Sequence, residues 1–139
     1  MARKLIWGSA LALLMIAGVF GVLFAFAKQD MAKLEKFTSA YESFDAAITN
    51  QSPSEASDAL GSLKSAAELR LSSAIKNDGR LMRTEHEIVD YSEQEFDRLR
   101  AYKTAVQNQA ADGDSLAAAL REITTQRKVA YVHFRELLN

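Results

Sequence analysis

The feature that most constrains this chain is an uninterrupted apolar run near its N-terminus, Leu5–Ala27. These 23 residues contain no charged side chain and no proline. A helix rises about 1.5 Å per residue, so the run spans about 34 Å and can cross the roughly 30 Å hydrocarbon layer of a bilayer. Since an isolated span must satisfy its own backbone hydrogen bonds in lipid, we predict a transmembrane helix over residues 5–27, after a basic head over residues 1–4.

A secretory signal peptide is the competing interpretation of the apolar run. The N-terminus is basic, and Ala25-Phe26-Ala27 offers a cleavage pattern before Lys28. The apolar region of a signal peptide is usually about 7–15 residues long, which is shorter than this run. Length therefore favours a permanent anchor, and the alternative is a secreted helical protein.

Two details indicate how the membrane helix would sit and pack. Trp7 lies one turn inside the basic end, where an indole favours the headgroup boundary, so it is the predicted interface anchor. Small residues recur at Ala17, Gly21 and Ala25, with Gly18 beside them, and would let another membrane helix approach closely. The predicted partners are therefore the lipid bilayer and other membrane protein subunits, or a second copy through this helix.

The flanking charges do not determine the orientation, because both ends of the span have basic residues. These are Arg3 and Lys4 before it, and Lys28, Lys33 and Lys36 after it. A head of four residues usually stays in the cytoplasm. We therefore expect a single-pass membrane protein with a cytoplasmic N-terminus and an extracytoplasmic domain, which would be periplasmic in a bacterium.

The composition of the remaining 112 residues indicates one all-helical domain. Residues 1–27 hold two basic side chains and no acid, so the remainder carries 15 basic and 18 acidic residues, a net charge of −3. This balance argues against a nucleic-acid partner, which requires clustered positive charge. The absence of cysteine excludes disulfides and thiolate sites. One proline, six glycines and no strand-like alternation favour helices throughout.

Turn signals divide the domain into four helices, predicted over about residues 28–49, 53–76, 80–110 and 115–138. Ser52, Pro53 and Glu55 form a predicted capping box at the start of the second helix. Gly79 is the predicted left-handed end of that helix, although a helix that continues through it is an alternative. Because nothing between Ala27 and Lys33 breaks a helix, the membrane helix should continue directly into the first of the four.

The helices show apolar faces at helical spacing. The first has Leu34, Phe37, Tyr41, Phe44 and Ile48; the third has a partly polar face of Met82, Glu85, Val89, Ser92, Phe96, Leu99, Lys103 and Val106; the fourth has Leu116, Leu120, Ile123, Arg127, Ala130, Phe134 and Leu137. Short connections make successive helices antiparallel, which predicts a membrane-proximal four-helix bundle. In that arrangement Arg127 lies opposite Glu95 or Phe96. A buried charge needs a partner, so Glu95 and Arg127 are a predicted buried ion pair, unless Arg127 extends to the rim.

No pattern of catalytic, metal-binding or cofactor-binding residues is present. A di-iron bundle needs Glu-x-x-His, but Arg83 and Ala130 stand three residues before His86 and His133. Gly-rich phosphate loops, nucleophile elbows and zinc-protease motifs are missing as well. The chain is therefore predicted not to be an enzyme and to have no metal or cofactor.

Two functions fit these observations. The first is an interaction, scaffold or accessory subunit of a membrane complex. The second is a ligand-sensing or ligand-binding bundle, with a cavity between the alanine-rich second helix and the polar face of the third. A membrane span followed by a helical bundle resembles the input domains of bacterial membrane sensors. The resemblance is in shape only, since this sequence lacks a second span and a signalling module.

Overall fold

The computed structural model describes the backbone of residues 2–72 and 74–139, and the side chains of residues 10–72 and 74–139. Within these ranges the protein contains four helices and no strand. They are α1 (Ala2–Thr49), α2 (Pro53–Ala67), α3 (Asp78–Gln107) and α4 (Gly113–Leu138). The helices pack on one another as a bundle, so the predicted all-α fold is confirmed.

Helix α1 runs without a break from the apolar run into the bundle, as predicted. Its part from Ala10 onward is long and apolar enough to cross a membrane. The large apolar side chains between Leu11 and Phe26 pack against no other part of the described chain, and each is 47–74% exposed. From Leu34 onward one face of the same helix is buried instead. One continuous helix therefore joins an uncovered apolar half to a packed half.

The bundle consists of two tight antiparallel hairpins, α1–α2 and α3–α4, which meet chiefly between α2 and α3. The buried face of α2 is rich in alanine, which allows close approach to α1. In the described chain no Cα atom of α1 lies within 8 Å of one of α4. Large side chains fill this wider gap, with the Phe37 and Phe134 rings 5.1 Å apart and the Tyr41 and Tyr131 rings stacked at 3.6 Å.

The core divides into two apolar clusters along the bundle axis. The proximal cluster, next to the apolar half of α1, includes Leu34, Phe37, Leu81 and Phe134. The distal cluster includes Phe44, Ile48, Leu99, Leu120 and Ile123. The predicted apolar face of the first helix is buried throughout, and so is that of the fourth from Leu120 onward. Those two parts of the face assignment are confirmed.

Helix α2 is shorter than predicted, since it ends at Ala67 and not near residue 76. Residues 68–72 and 74–77, which we call the irregular segment, then lie outside any helix. Leu71 is still buried, but it reaches the core from this irregular segment. The backbone N–H of Ser72 donates to the carboxylate of Asp30 on α1, which replaces the hydrogen bond that a longer helix would have given it.

Two predicted helix signals act differently in the structure. Ser52 is the N-cap of α2 and Pro53 its first residue, but the Ser52 side chain makes no capping hydrogen bond, so the capping box is not formed. Asn77, with φ of 64°, takes the left-handed conformation before α3, whereas Gly79 lies inside that helix. Asparagine tolerates this conformation because its short polar side chain can bond locally, and here the Asn77 side chain donates to the Leu137 carbonyl.

The buried face of α3 is displaced by one residue from the predicted one. Leu81, Ile88 and Glu95 point inward, and Met82, Val89 and Phe96 are only half-buried beside them. The predicted positions Glu85, Ser92 and Leu99 are buried, whereas Val106 is exposed. The inward face is thus more polar than the sequence pattern suggested.

Candidate functional site

The predicted membrane-packing residues lie on the uncovered half of α1. Ala17, Gly18, Gly21 and Ala25 are all exposed. A Cβ atom added at Gly18 or Gly21 would meet nothing within 4 Å, so this face has room for a neighbouring helix. Trp7, the predicted interface anchor, lies outside the residues whose side chains the structure describes, and stays a prediction.

The structure brings Glu95 and Arg127 together between the two apolar clusters. The Arg127 Nε–H donates to Glu95 Oε2, and both side chains are fully buried. Arg127 Nη2 also donates to Asp45 Oδ1 of α1 at 2.7 Å, and Thr124 Oγ1 donates to Glu95 Oε1 at 2.5 Å. We call Asp45, Glu95, Thr124 and Arg127 the polar layer. It ties α1, α3 and α4 together at a single height in the bundle.

Aromatic rings complete the surroundings of the Arg127 guanidinium. Its carbon lies 5.0 Å from the centre of the Tyr41 ring and 5.4 Å from that of Phe44, distances at which cation–π attraction operates. Burial by itself lowers the pKa of Arg127, but the hydrogen bonds and charge of Glu95 outweigh burial and raise the pKa above its ordinary value. Arg127 is therefore a permanent cation, held inside the fold by two carboxylates. This arrangement fixes how three helices align, and it presents no free base or nucleophile.

Glu85 is a second buried carboxyl group, and its position is different. It lies on the inner face of α3 between Leu81 and Ile88, is 1% exposed, and its Oε2 atom has no hydrogen-bond partner among the described residues. Burial raises the pKa of Glu85 to about 8. The side chain is therefore mostly a neutral acid at pH 7, because no cation among the described residues stabilises its charge.

A clasp holds the irregular segment after α2 against α1. The buried carboxylate of Asp30 accepts hydrogen bonds from the Ser72 backbone N–H at 3.0 Å and from the Ser72 hydroxyl at 2.5 Å. Lys33 Nζ lies 3.6 Å from the same carboxylate and donates to the Arg70 carbonyl at 2.7 Å. Asp30 stands three residues beyond the apolar run, so the clasp lies close to the point where α1 would leave the membrane.

We expect Ser72→Ala to lower the free energy of unfolding of the bundle by about 1–2 kcal/mol, because one hydrogen bond to a buried carboxylate is lost. Amide exchange at Leu69–Ser72 should become faster. Ser62→Ala is the matched control, since the exposed Ser62 hydroxyl only bonds back to Asp58 within its own helix. Urea unfolding in detergent and hydrogen exchange measure the two effects. Equal behaviour of the two variants would contradict a stabilising clasp.

The surface grooves of the described chain do not resemble the predicted ligand cavity. The groove between α2 and α3 has a volume of about 430 Å³ and is lined in part by Lys64 and Glu93, which form an ion pair. A larger open groove of about 1060 Å³ lies between α1 and α2 and is lined mainly by small and polar side chains. Neither groove brings together residues that would select a particular ligand, so ligand binding stays a prediction.

Sequence reasoning missed two of these contacts. Asp45 joins Arg127 across the α1–α4 gap, and the Asp30–Ser72 clasp joins residues 42 positions apart. The predicted face of α3 included Glu85, but the pattern did not show that its carboxyl Oε2 would have no partner among the described residues. No sequence pattern marks the clasp, because it forms where α2 ends early.

Comparison with known proteins adds no relative to these observations. No family model, curated protein or solved structure matches the chain. The function is therefore argued from the fold and the side chains alone.

Proposed function

We propose that this chain is a single-pass membrane-anchored helical bundle that acts as an interaction or accessory subunit of a membrane complex. In the proposed orientation the N-terminal side of the span would face the cytoplasm, and the bundle would lie on the other side of the membrane. The bundle's role is to be held at the membrane and to present its surfaces to a partner.

The observation that carries the proposal is the uncovered apolar half of α1. Apolar side chains from Leu11 to Phe26 are exposed on all sides of this helix, which would be unfavourable in water, and the same helix continues into a well-packed core. Lipid is the environment that such a helix fits. In the bundle, Arg127, Glu95 and Asp30 are held by contacts within the fold, which supports a structural role for the buried charges.

The partner would contact the membrane helix through the face of Ala17, Gly18, Gly21 and Ala25. Small side chains let two helix backbones approach closely, and van der Waals contact drives association in lipid. This face is open in the structure. The occupant would be a span of another subunit or of a second copy of this chain.

We expect Ala17→Leu to reduce recovery of the partner about tenfold when the intact protein is crosslinked in native membranes and captured, since a bulky side chain keeps the helices apart. Ala12→Leu is the matched control. It makes the same change five residues earlier, where the helical repeat of 100° per residue places it about 140° around the axis.

Three outcomes of this experiment discriminate between the alternatives. Loss of a captured partner with Ala17→Leu but not with Ala12→Leu supports the proposal, and the mass of the crosslinked product distinguishes another subunit from a second copy. Crosslinking that yields only monomer for the unaltered chain contradicts it. Release of the protein by alkaline carbonate, with a mature N-terminus at Lys28, contradicts the anchor itself and supports the secreted alternative.

A further inference from the structure

The clasp places one end of the bundle within the headgroup layer of the membrane, provided that the proposed anchor is correct. Asp30 lies three residues beyond Ala27, which is about 4.5 Å along the helix. The headgroup region on each side of a bilayer is roughly 5–7 Å thick. Ser72 bonds directly to Asp30, so the irregular segment after α2 lies at that depth. The C-terminal end of α4 is close by, because Asn77 donates to the Leu137 carbonyl.

Basic side chains are concentrated around this end of the bundle. They come from the part of α1 just beyond the apolar run, from the irregular segment and from the first turn of α3, and we call them the basic collar. They are Lys28, Lys33, Arg70, Lys76 and Arg80. All are exposed except Lys33, which is half-buried in the clasp. Long basic side chains at this depth can extend their charged groups to lipid phosphates.

The acidic residues at the same end offset the collar only in part. The buried carboxylate of Asp30 accepts a hydrogen bond from Ser72 and pairs with Lys33, so its negative charge is not exposed at the surface of the bundle. Glu35, Glu68, Asp78 and Glu136 remain near this end. Counted over residues 28–36, 68–83 and 131–139, with both partners of the clasp included, eight basic side chains exceed five acids.

The opposite end of the bundle has the reverse charge. Asp112 lies in the turn between α3 and α4, and Glu55 and Asp114 lie in the first turns of α2 and α4. Residues 50–56 and 107–116 include no basic side chain. The charge of the bundle is thus arranged along its axis, with the positive end towards the bilayer. Such an arrangement matches a negatively charged surface at that end and disfavours it at the other.

We propose that the basic collar binds the headgroups of anionic phospholipids. The partner is a lipid surface because the anchor fixes the collar at headgroup depth, where lipid phosphates are the abundant anions. Juxtamembrane basic side chains are attracted to such a surface, and the attraction falls off within a Debye length, about 8 Å at physiological salt. Asp30 and the Ser72 backbone bonded to it lie within this range, since Asp30 is about 4.5 Å beyond Ala27 along the helix. The collar would hold the bundle upright against the membrane in addition to the covalent connection through α1.

The test uses the full chain in nanodiscs of phosphatidylcholine alone or of phosphatidylcholine mixed with phosphatidylglycerol. We expect amide exchange at Glu68–Ser72 to be at least about threefold slower in the anionic discs, and the difference to disappear at high salt. The double variant Arg70→Glu/Lys76→Glu should lose the difference. Arg100→Glu/Arg121→Glu, with two charge reversals on exposed residues away from the collar, should keep it.

The outcomes separate this proposal from the anchor. Equal amide exchange of the unaltered chain in the two kinds of disc overturns the binding of the collar to anionic lipids. It leaves the anchor in place, because protection by headgroups regardless of their charge would be the same in both discs. A lipid response that survives Arg70→Glu/Lys76→Glu also overturns that binding. Failure of the chain to remain in either disc overturns the anchor and the collar together. Exchange in α4, read in the same experiment, reports whether each variant is folded.

Discussion

Replacing Arg127 with methionine is expected to lower the free energy of unfolding of the bundle by about 3–5 kcal/mol, because Glu95 is then left as a buried carboxylate without a cation. Methionine keeps much of the volume of the arginine stem. The lower free energy of unfolding therefore results mainly from the lost charge and hydrogen bonds, and less from a cavity. Asp45 contributes less, since its side chain is 34% exposed and water can solvate it. Urea unfolding followed by circular dichroism in detergent measures the change.

A double replacement shows whether the missing charge is the cause. Arg127→Met combined with Glu95→Leu removes both buried charges, and we expect it to recover most of the lost free energy of unfolding. Arg121→Met is the matched surface control and should change the free energy by less than about 0.5 kcal/mol. If Arg127→Met costs no more than this control, the polar layer does not stabilise the bundle.

Glu85→Gln is expected to stabilise the bundle increasingly as the pH rises. The pKa of Glu85 is about 8 in the folded chain, well above the ordinary value of 4.5. The folded state therefore keeps a proton that the unfolded state has lost, so the stability of the unaltered protein falls between about pH 4.5 and pH 8 and then levels off. Glutamine has no proton to lose. The difference between the two proteins should grow by up to about 1.4 kcal/mol per pH unit in that interval.

Burying the glutamine amide also changes the free energy of unfolding, but by the same amount at every pH. The slope of the free energy of unfolding against pH is therefore unaffected by that change. Unfolding free energies at pH 5, 6, 7 and 8 give the slope directly. Glu87→Gln serves as the control, because Glu87 lies two residues further along α3 and is exposed. Parallel pH profiles for the unaltered protein and Glu85→Gln would show that Glu85 is charged in the folded state. That result would require a partner for its carboxylate, absent from the described contacts.

Helical spacing made the greater part of this fold predictable. In α1 and α4 the buried face follows the apolar pattern closely, and a break-free sequence between Ala27 and Lys33 corresponds to an unbroken helix. Arg127 could be assigned a partner because a single charge on an otherwise apolar face must be paired. These features depend on local periodicity and on short turns, and both are readable from one sequence.

The remaining features depend on contacts between distant residues. Helix propensity over residues 68–76 gives no reason for α2 to end at Ala67, and the stabilising contact comes from Asp30 on another helix. On α3, Glu95 lies in the core, where it bonds to Arg127, whereas Phe96, which the apolar pattern placed inward, lies at the edge of the core. In both places a tertiary hydrogen bond outweighs the local pattern.

With the proposed span in a bilayer, the unbroken course of α1 would make it a lever between the membrane and the far end of the bundle. From Ala27 to Thr49 the helix rises about 33 Å, so a change of 10° in the tilt of the span would displace the turn beyond Thr49 sideways by about 6 Å. A flexible linker would absorb such a movement. Here the rest of the bundle is packed onto α1 and would swing with it, so a partner seated at the outer end would be repositioned whenever the span tilts to match a thicker or thinner membrane.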